Sequence, residues 1–232
     1  MFKLLNPEKK IAMFCSPKSA CSTITSWWFK TLGIYDDAKN YHSWIHNYRN
    51  KVYNLKLRKI NHSKYYKIIA FRNPYTRAVS SYIHASKSKK LYKQLPKEQN
   101  MTFDEFLDWL EQKKGFFSHK NLYSNQHWAP QLHGYDIKGF DLQIRIENLE
   151  EGINFLNEKF NLKTPFEQYH SKHYTKRITT EEKVHAVPFL KLQEKFNNKL
   201  PEASNFYTNE TYNKVKEIYN EDIDVLGYDI IY

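Results

Sequence analysis

The sequence predicts an α/β fold, a central parallel sheet flanked by helices with a largely helical C-terminal third, and three observations predict it. Two short apolar runs, at residues 11–15 and 66–71, each break into a polar stretch and then into helical periodicity. An alternating stretch at 140–146 reads as a third strand, and the last third carries helical spacing. With 232 residues, 41% of them hydrophobic, residues 1–232 suit one large domain better than two.

The elements follow in order. Ile11 to Cys15 is a buried strand that stops at Ser16-Pro17. Ile24, Trp27, Trp28 and Leu32 then share one helical face, and Gly33 supplies a stop. Tyr66 to Phe71 is a second strand, and Asn73 and Pro74 are an N-cap and first-turn residue for the helix that carries Val79, Tyr82 and Ile83. Thr102 with Glu105 forms a capping box, and Met101 with Phe106 a hydrophobic staple, so a helix spans about 103–113. Asn148 with Glu151 repeats that cap before the apolar stripe Leu149, Ile153, Leu156 and Phe160. Pro188 opens a further helix, and Tyr212, Val215, Ile218 and Tyr219 mark another, while 163–178 is a polar loop. No internal repeat or low-complexity linker divides the chain.

Composition narrows the class. Eighteen Tyr, 15 Phe and only six Gly exclude a collagenous or disordered chain. The net charge of +11 favours capture of anionic ligands without naming one. Arginine is scarce, so each one is informative, because the guanidinium fork grips phosphate in a way that an ammonium does not. Two cysteines, Cys15 and Cys21, make neither a disulfide framework nor a metal site. A reducing, cytoplasmic setting is the expectation, with neither a signal peptide nor a run of about 18 apolar residues.

Two segments carry chemistry. Ser16-Pro17-Lys18-Ser19-Ala20-Cys21-Ser22-Thr23 joins a buried strand to a helix N-terminus, where free N–H groups and the helix dipole favour an anion. Lys18 adds a mobile charge, and Ser22 and Thr23 add hydroxyls. The glycines of a nucleoside triphosphatase loop are absent. Arg72 ends the second strand, and Ser80 lies eight residues on, in a helix whose side chains lean back toward its start. Arg77 lies between them. Each segment alone also fits a solvated loop or helix charge. Together they point to a ligand with phosphates at both ends.

These segments resemble the 5′-phosphosulfate loop and the 3′-phosphate motif of sulfotransferases, most of all the carbohydrate group that includes the chondroitin and dermatan 4-O-sulfotransferases. The first motif of that group stands here as Pro17-Lys18-Ser19-Ala20-Cys21-Ser22, and the second as Arg72-Asn73-Pro74-Tyr75-Thr76-Arg77-Ala78-Val79-Ser80-Ser81-Tyr82. Phe103 to Phe106, His127-Trp128, Glu147 to Glu151 and Tyr219 to Tyr228 resemble later family segments. A Cys-His-Pro-Cys segment of the animal enzymes is replaced by Gln131-Leu132-His133-Gly134. The membrane anchor of the Golgi enzymes has no counterpart in this sequence.

The resemblance implies a P-loop-like sheet and transfer of a sulfuryl group from 3′-phosphoadenosine 5′-phosphosulfate to a hydroxyl, with a glycan as acceptor and no metal. Lys18, Ser19, Ala20, Cys21, Ser22 and Thr23 would hold the 5′ end of the donor, Lys18 taking the leaving-group charge, and Arg72 and Ser80 would hold the 3′-phosphate. A hydroxyl acceptor needs a base. His42 is the first choice, because related enzymes place a histidine ahead of the second motif at this spacing; His46 and His62 share that segment, and His127 is a further candidate. The loop His170 to Arg177, Trp44 and Trp128 are candidates for contact with a sugar. Two rival readings remain open, a basic nucleic-acid-binding protein and a nucleotide kinase. No nucleic acid is expected as a partner of the enzyme.

Overall fold

A computed structural model describes residues 1–43, 45–113, 126–132, 134–168 and 176–228. The chain is mixed α/β and divides into two compact units, Met1–Arg72 with Asp136–Lys172, and Asn73–Tyr135 with His173–Tyr232.

The first unit is built on a four-stranded sheet in the order β1-β2-β3-β4: β1 (Phe2–Asn6), β2 (Ile11–Cys15), β3 (Tyr66–Phe71) and β4 (Leu142–Arg145). β2, β3 and β4 run parallel, whereas β1 pairs antiparallel with β2, so the sheet is mostly parallel rather than wholly so. Sequence reading missed β1, which reaches β2 through the short Pro7–Lys10 turn, with Lys10 left-handed at φ 53°. All five residues of β2 are buried, as an inner strand requires.

Alternation sorts the residues of β1 and β2 onto two faces. Leu4, Ile11, Met13 and Cys15 pack with Ile24, Trp27 and Trp28 of α1 (Cys21–Thr31) and with Leu149, Ile153 and Leu156 of α8 (Leu149–Phe160). Leu5, Ala12 and Phe14 pack instead against Leu57, Ile60, Tyr65 and Phe140. Helices therefore cover one face of these strands, and the 57–65 segment covers the other. Gly33, at φ 67°, follows the end of α1 as expected. The cap read at Asn148 fails: a 3₁₀ turn, Ile146–Asn148, runs straight into α8, and the Asn148 side chain makes no cap bond.

The run from 35 to 57, unread in the sequence, comprises short helices: α2 (Tyr35–Asn40), α3 (Ile45–Tyr48), a π-helical turn Arg49–Tyr53 and α4 (Asn54–Leu57). Tyr53 anchors it. Its hydroxyl accepts from Leu5 N at 2.9 Å and Trp28 Nε1 at 3.1 Å, and donates to Leu5 O. Burial pushes this phenol up to about 12.

The second unit is largely helical. Its helices are α5 (Pro74–Lys87), α6 (Lys89–Tyr92), α7 (Phe103–Lys113), α9 (Phe189–Lys195), α10 (Asn209–Ile218) and α11 (Asn220–Leu226), with a two-residue pairing of Arg177–Ile178 with Leu200–Pro201. Asn73 caps α5 through Tyr75 N at 2.9 Å, with Pro74 in the first turn. Thr102 and Glu105 close the capping box of α7 in both directions, and Met101 and Phe106 are both buried in this unit's core. That core is aromatic, with Tyr82 set edge-on to Phe103, Phe189 and Phe206.

Candidate active site

The loop between β2 and α1 lies in the first unit. Lys18 (φ 72°) and Ala20 (φ 51°) are both left-handed, a conformation that costs a residue with a Cβ about 1–2 kcal/mol. Ala20 is the N-cap of α1, and a left-handed residue beside a helical one turns neighbouring N–H groups to one side, making a concavity suited to an anion. Cys21 and Ser22 open α1, so their N–H groups have no carbonyl one turn back inside the helix. The loop is braced from within: Ser19 N donates to Ser16 O at 3.3 Å, the Ser16 and Ser19 hydroxyls meet at 2.8 Å, and Cys15 Sγ donates to Ser19 O at 3.0 Å. Ser19, fully buried, therefore spends its amide and hydroxyl on loop shape.

Arg72 follows β3, the parallel neighbour of β2, and its Nη1 donates to the Lys18 carbonyl at 3.2 Å. The guanidinium that ends the third strand thus touches the loop that ends the second. In the first turn of α1, Ser22 Oγ lies 2.9 Å from His46 Nε2, and His46 is buried. His42 is exposed and left-handed at φ 48°, its ring 4.5 Å from that of Tyr41. His62 packs on Phe14, 2.9 Å from Lys3 Nζ, on the sheet face opposite α1, where desolvation and the Lys3 charge hold its pKa below the ordinary value. The structure therefore brings Arg72 to Lys18 and, as a separate contact, His46 to Ser22 in the first turn of α1, with His42 exposed on the chain just before His46.

Ser22, Ser26 and Lys30 recur every four residues along α1. The last two, with Trp27, Tyr35, Pro165, Glu167 and Gln168, line a small open cleft of about 50 Å³. Lys30 pairs there with Glu167 and lies 5.2 Å from the centre of the Tyr35 ring. Sequence reading had no signal for this cleft, since Lys30 and Glu167 are brought together only by folding.

The other predicted residues belong to the second unit. Ser80 is half-buried on α5. Arg77 is 2% exposed, donates to Gln126 O at 3.4 Å and acts on buried Asp222, so it is a core charge and not a solvated one. Asp222 accepts from Gln131 N at 2.7 Å and Leu132 N at 2.9 Å, while Tyr219 OH donates to Trp128 O at 2.7 Å. His127 has its ring 4.5 Å from His84, and Trp128 is fully buried, which removes it as a stacking surface for a sugar. Arg177 donates to Pro201 O at 2.7 Å. Trp44, His133 and residues 169–175 lie outside the described residues.

Among the described residues no group of His, Cys, Asp and Glu is placed to hold a metal, and no helix is long and apolar enough to cross a membrane. Fold and loop together define a mixed α/β protein whose first strand-loop-helix junction gathers helix-end amides, a lysine and an arginine. The sulfotransferase family model matches residues 4–229, nearly the whole chain, and the chain belongs to the sulfotransferase family. It is thereby a transferase of sulfuryl groups. No curated protein and no solved structure gives a significant match.

Proposed function

We propose that this protein transfers a sulfuryl group from 3′-phosphoadenosine 5′-phosphosulfate to a hydroxyl group, and that the acceptor is a carbohydrate. One observation carries the donor reading: Arg72 Nη1 sits 3.2 Å from the Lys18 carbonyl, so the two anion motifs meet at adjacent ends of parallel strands. The family match through both units supports reading residues 1–232 as one sulfotransferase domain, with a sheet of the P-loop-like kind. The carbohydrate acceptor rests on the resemblance of the two motifs alone.

When bound, the donor supplies the sulfuryl group and a phosphate leaving group; the S–O bond to that phosphate breaks as one to the acceptor oxygen forms, giving a sulfate ester and adenosine 3′,5′-bisphosphate. The chain's part is to position reactants and stabilise charge. The amides of Ala20, Cys21, Ser22 and Thr23 and the hydroxyls of Ser22 and Thr23 hold the 5′ end, and Ser19 keeps the loop in shape. Lys18 neutralises charge gathering on the leaving phosphate. Arg72 holds the 3′-phosphate, where the guanidinium fork suits three oxygens, and the resemblance of the second motif gives Ser80 as a further ligand of that phosphate. His42, being exposed, takes the proton of the acceptor hydroxyl; His46, buried against Ser22, orients that hydroxyl.

A labelled-sulfate transfer screen over glycans, small alcohols and phenols tests the reading. Lys18→Ala and Arg72→Ala should each lower kcat/KM by about 10²- to 10³-fold, the cost of deleting one charge-stabilising donor. His42→Ala should leave binding of adenosine 3′,5′-bisphosphate intact and cut turnover by about 10²- to 10⁴-fold. Near-normal turnover in His42→Ala would move the base to His46 or His127.

A further inference from the structure

Residues 38–97 contain no Asp or Glu, yet Arg49, within this stretch, is only 8% exposed. Its Nε donates to Asn50 Oδ1 at 3.1 Å, and its guanidinium lies 3.8 Å from the centre of the Phe2 ring. Its Nη1 is buried with no hydrogen-bond partner among the described residues. Burial lowers its pKa, but from a starting value so high that the guanidinium stays charged. A buried cation is costly unless an anion offsets it.

The position of this cation is specific. Phe2 is the register partner of Cys15, the last residue of β2, so the ring beneath the Arg49 guanidinium lies beside the strand end from which the anion loop leaves. Three residues earlier on the same helical run, His46 meets Ser22. His46 and Arg49 thus share a helical face turned to the first turn of α1. The π-helical turn Arg49–Tyr53 is of a kind that recurs at functional sites, and Tyr53 pins it to Leu5 and Trp28.

We propose that Arg49 is a buried positioning cation beneath the loop, whose charge is completed when an anionic phosphate or phosphosulfate group binds above it. The free protein carries an electrostatic cost that the ligand relieves, so Arg49 trades stability of the free chain for ligand affinity. The inference rests on the donor reading only in taking the ligand of the loop to be an anion.

The test compares the unsubstituted protein with Arg49→Met, which fills similar volume without charge. Thermal unfolding is followed with and without inorganic sulfate, and adenosine 3′,5′-bisphosphate is titrated calorimetrically into both. The free Arg49→Met protein should unfold at the same or a higher temperature, while its affinity for the bisphosphate falls by about tenfold or more, the effect of one charge acting over several Å. Arg49→Lys, which keeps a charge and loses the fork, should fall between; should Arg49→Met not accumulate folded, Arg49→Gln carries the same comparison. A lower unfolding temperature with unchanged affinity makes Arg49 a structural residue and overturns the proposal. If sulfate stabilises only the unsubstituted protein and the bisphosphate binds neither, Arg49 keeps its role and the donor assignment falls. If the bisphosphate binds both equally, the role of Arg49 falls and the donor assignment stands.

Discussion

Each unit of the molecule buries an arginine, Arg49 in one and Arg77 in the other, and the surroundings of the two differ in kind. Arg77 faces Asp222, a fully buried carboxylate whose pKa desolvation raises while the guanidinium and two backbone amides pull it down. Around it Tyr219, Trp128, Gln131 and Leu132 form a satisfied network. Arg49 has an aromatic ring, an asparagine and two thiols for company. A buried charge with a counterion organises a fold; one with no counterion among the described residues carries its desolvation cost uncompensated by them.

That contrast is open to attack first at Asp222. Asp222→Ala leaves Arg77 buried without its carboxylate and two amides without acceptors, so stability in urea should fall by about 3–5 kcal/mol. A loss under 1 kcal/mol would make Arg77 as tolerant a site as Arg49 is proposed to be and erase the distinction. Tyr219→Phe sharpens it with a smaller cut. The lost phenol bond to the Trp128 carbonyl should cost about 1–2 kcal/mol and leave sulfuryl transfer unchanged in kcat.

The smallest effect expected lies in the α7 cap, where charge is exposed and cheap. Thr102→Ala should cost about 1 kcal/mol. The bonds to Lys97 and to Thr102 N hold the Glu105 carboxyl below its ordinary range. A carboxyl with a depressed folded value contributes stability above its unfolded pKa and loses it as pH falls through the folded one. Glu105→Gln should therefore lower stability slightly at neutral pH and flatten the acid limb, the difference from the unsubstituted protein closing as pH falls through the ordinary glutamate range and below it.

Much of the frame was legible because its signals are local. The strands 11–15 and 66–71, the stop at Gly33, the Asn73-Pro74 start and the capping box at Thr102 all depend on residues within a few positions of one another. β1 escaped because five residues beside a tight turn show too little alternation to stand out, and the 35–57 run because a left-handed His42 and a π-turn break its period. The Asn148 cap was misread where a 3₁₀ turn supplied an entry to α8 that capping patterns do not encode. In the site, the placement of Lys18 and Arg72 after neighbouring strands could be read from the sequence, and β2 and β3 are parallel neighbours. His46 against Ser22 and Arg49 against Phe2 join residues 24 and 47 positions apart, contacts that no local pattern announces.

The central claim is that one nucleotide spans the β2 and β3 ends, gripped by the loop at one phosphate and by Arg72 at the other. Calorimetric titration of adenosine 3′,5′-bisphosphate and adenosine 5′-phosphate into the unsubstituted protein and Arg72→Ala tests it directly. The bisphosphate should bind about tenfold or more tightly than the monophosphate, as a charge-assisted arginine contact worth about 1.5–3 kcal/mol requires, and Arg72→Ala should abolish that difference while sparing the monophosphate. Equal affinity for the two nucleotides, or a loss in Arg72→Ala that falls on both alike, would contradict it.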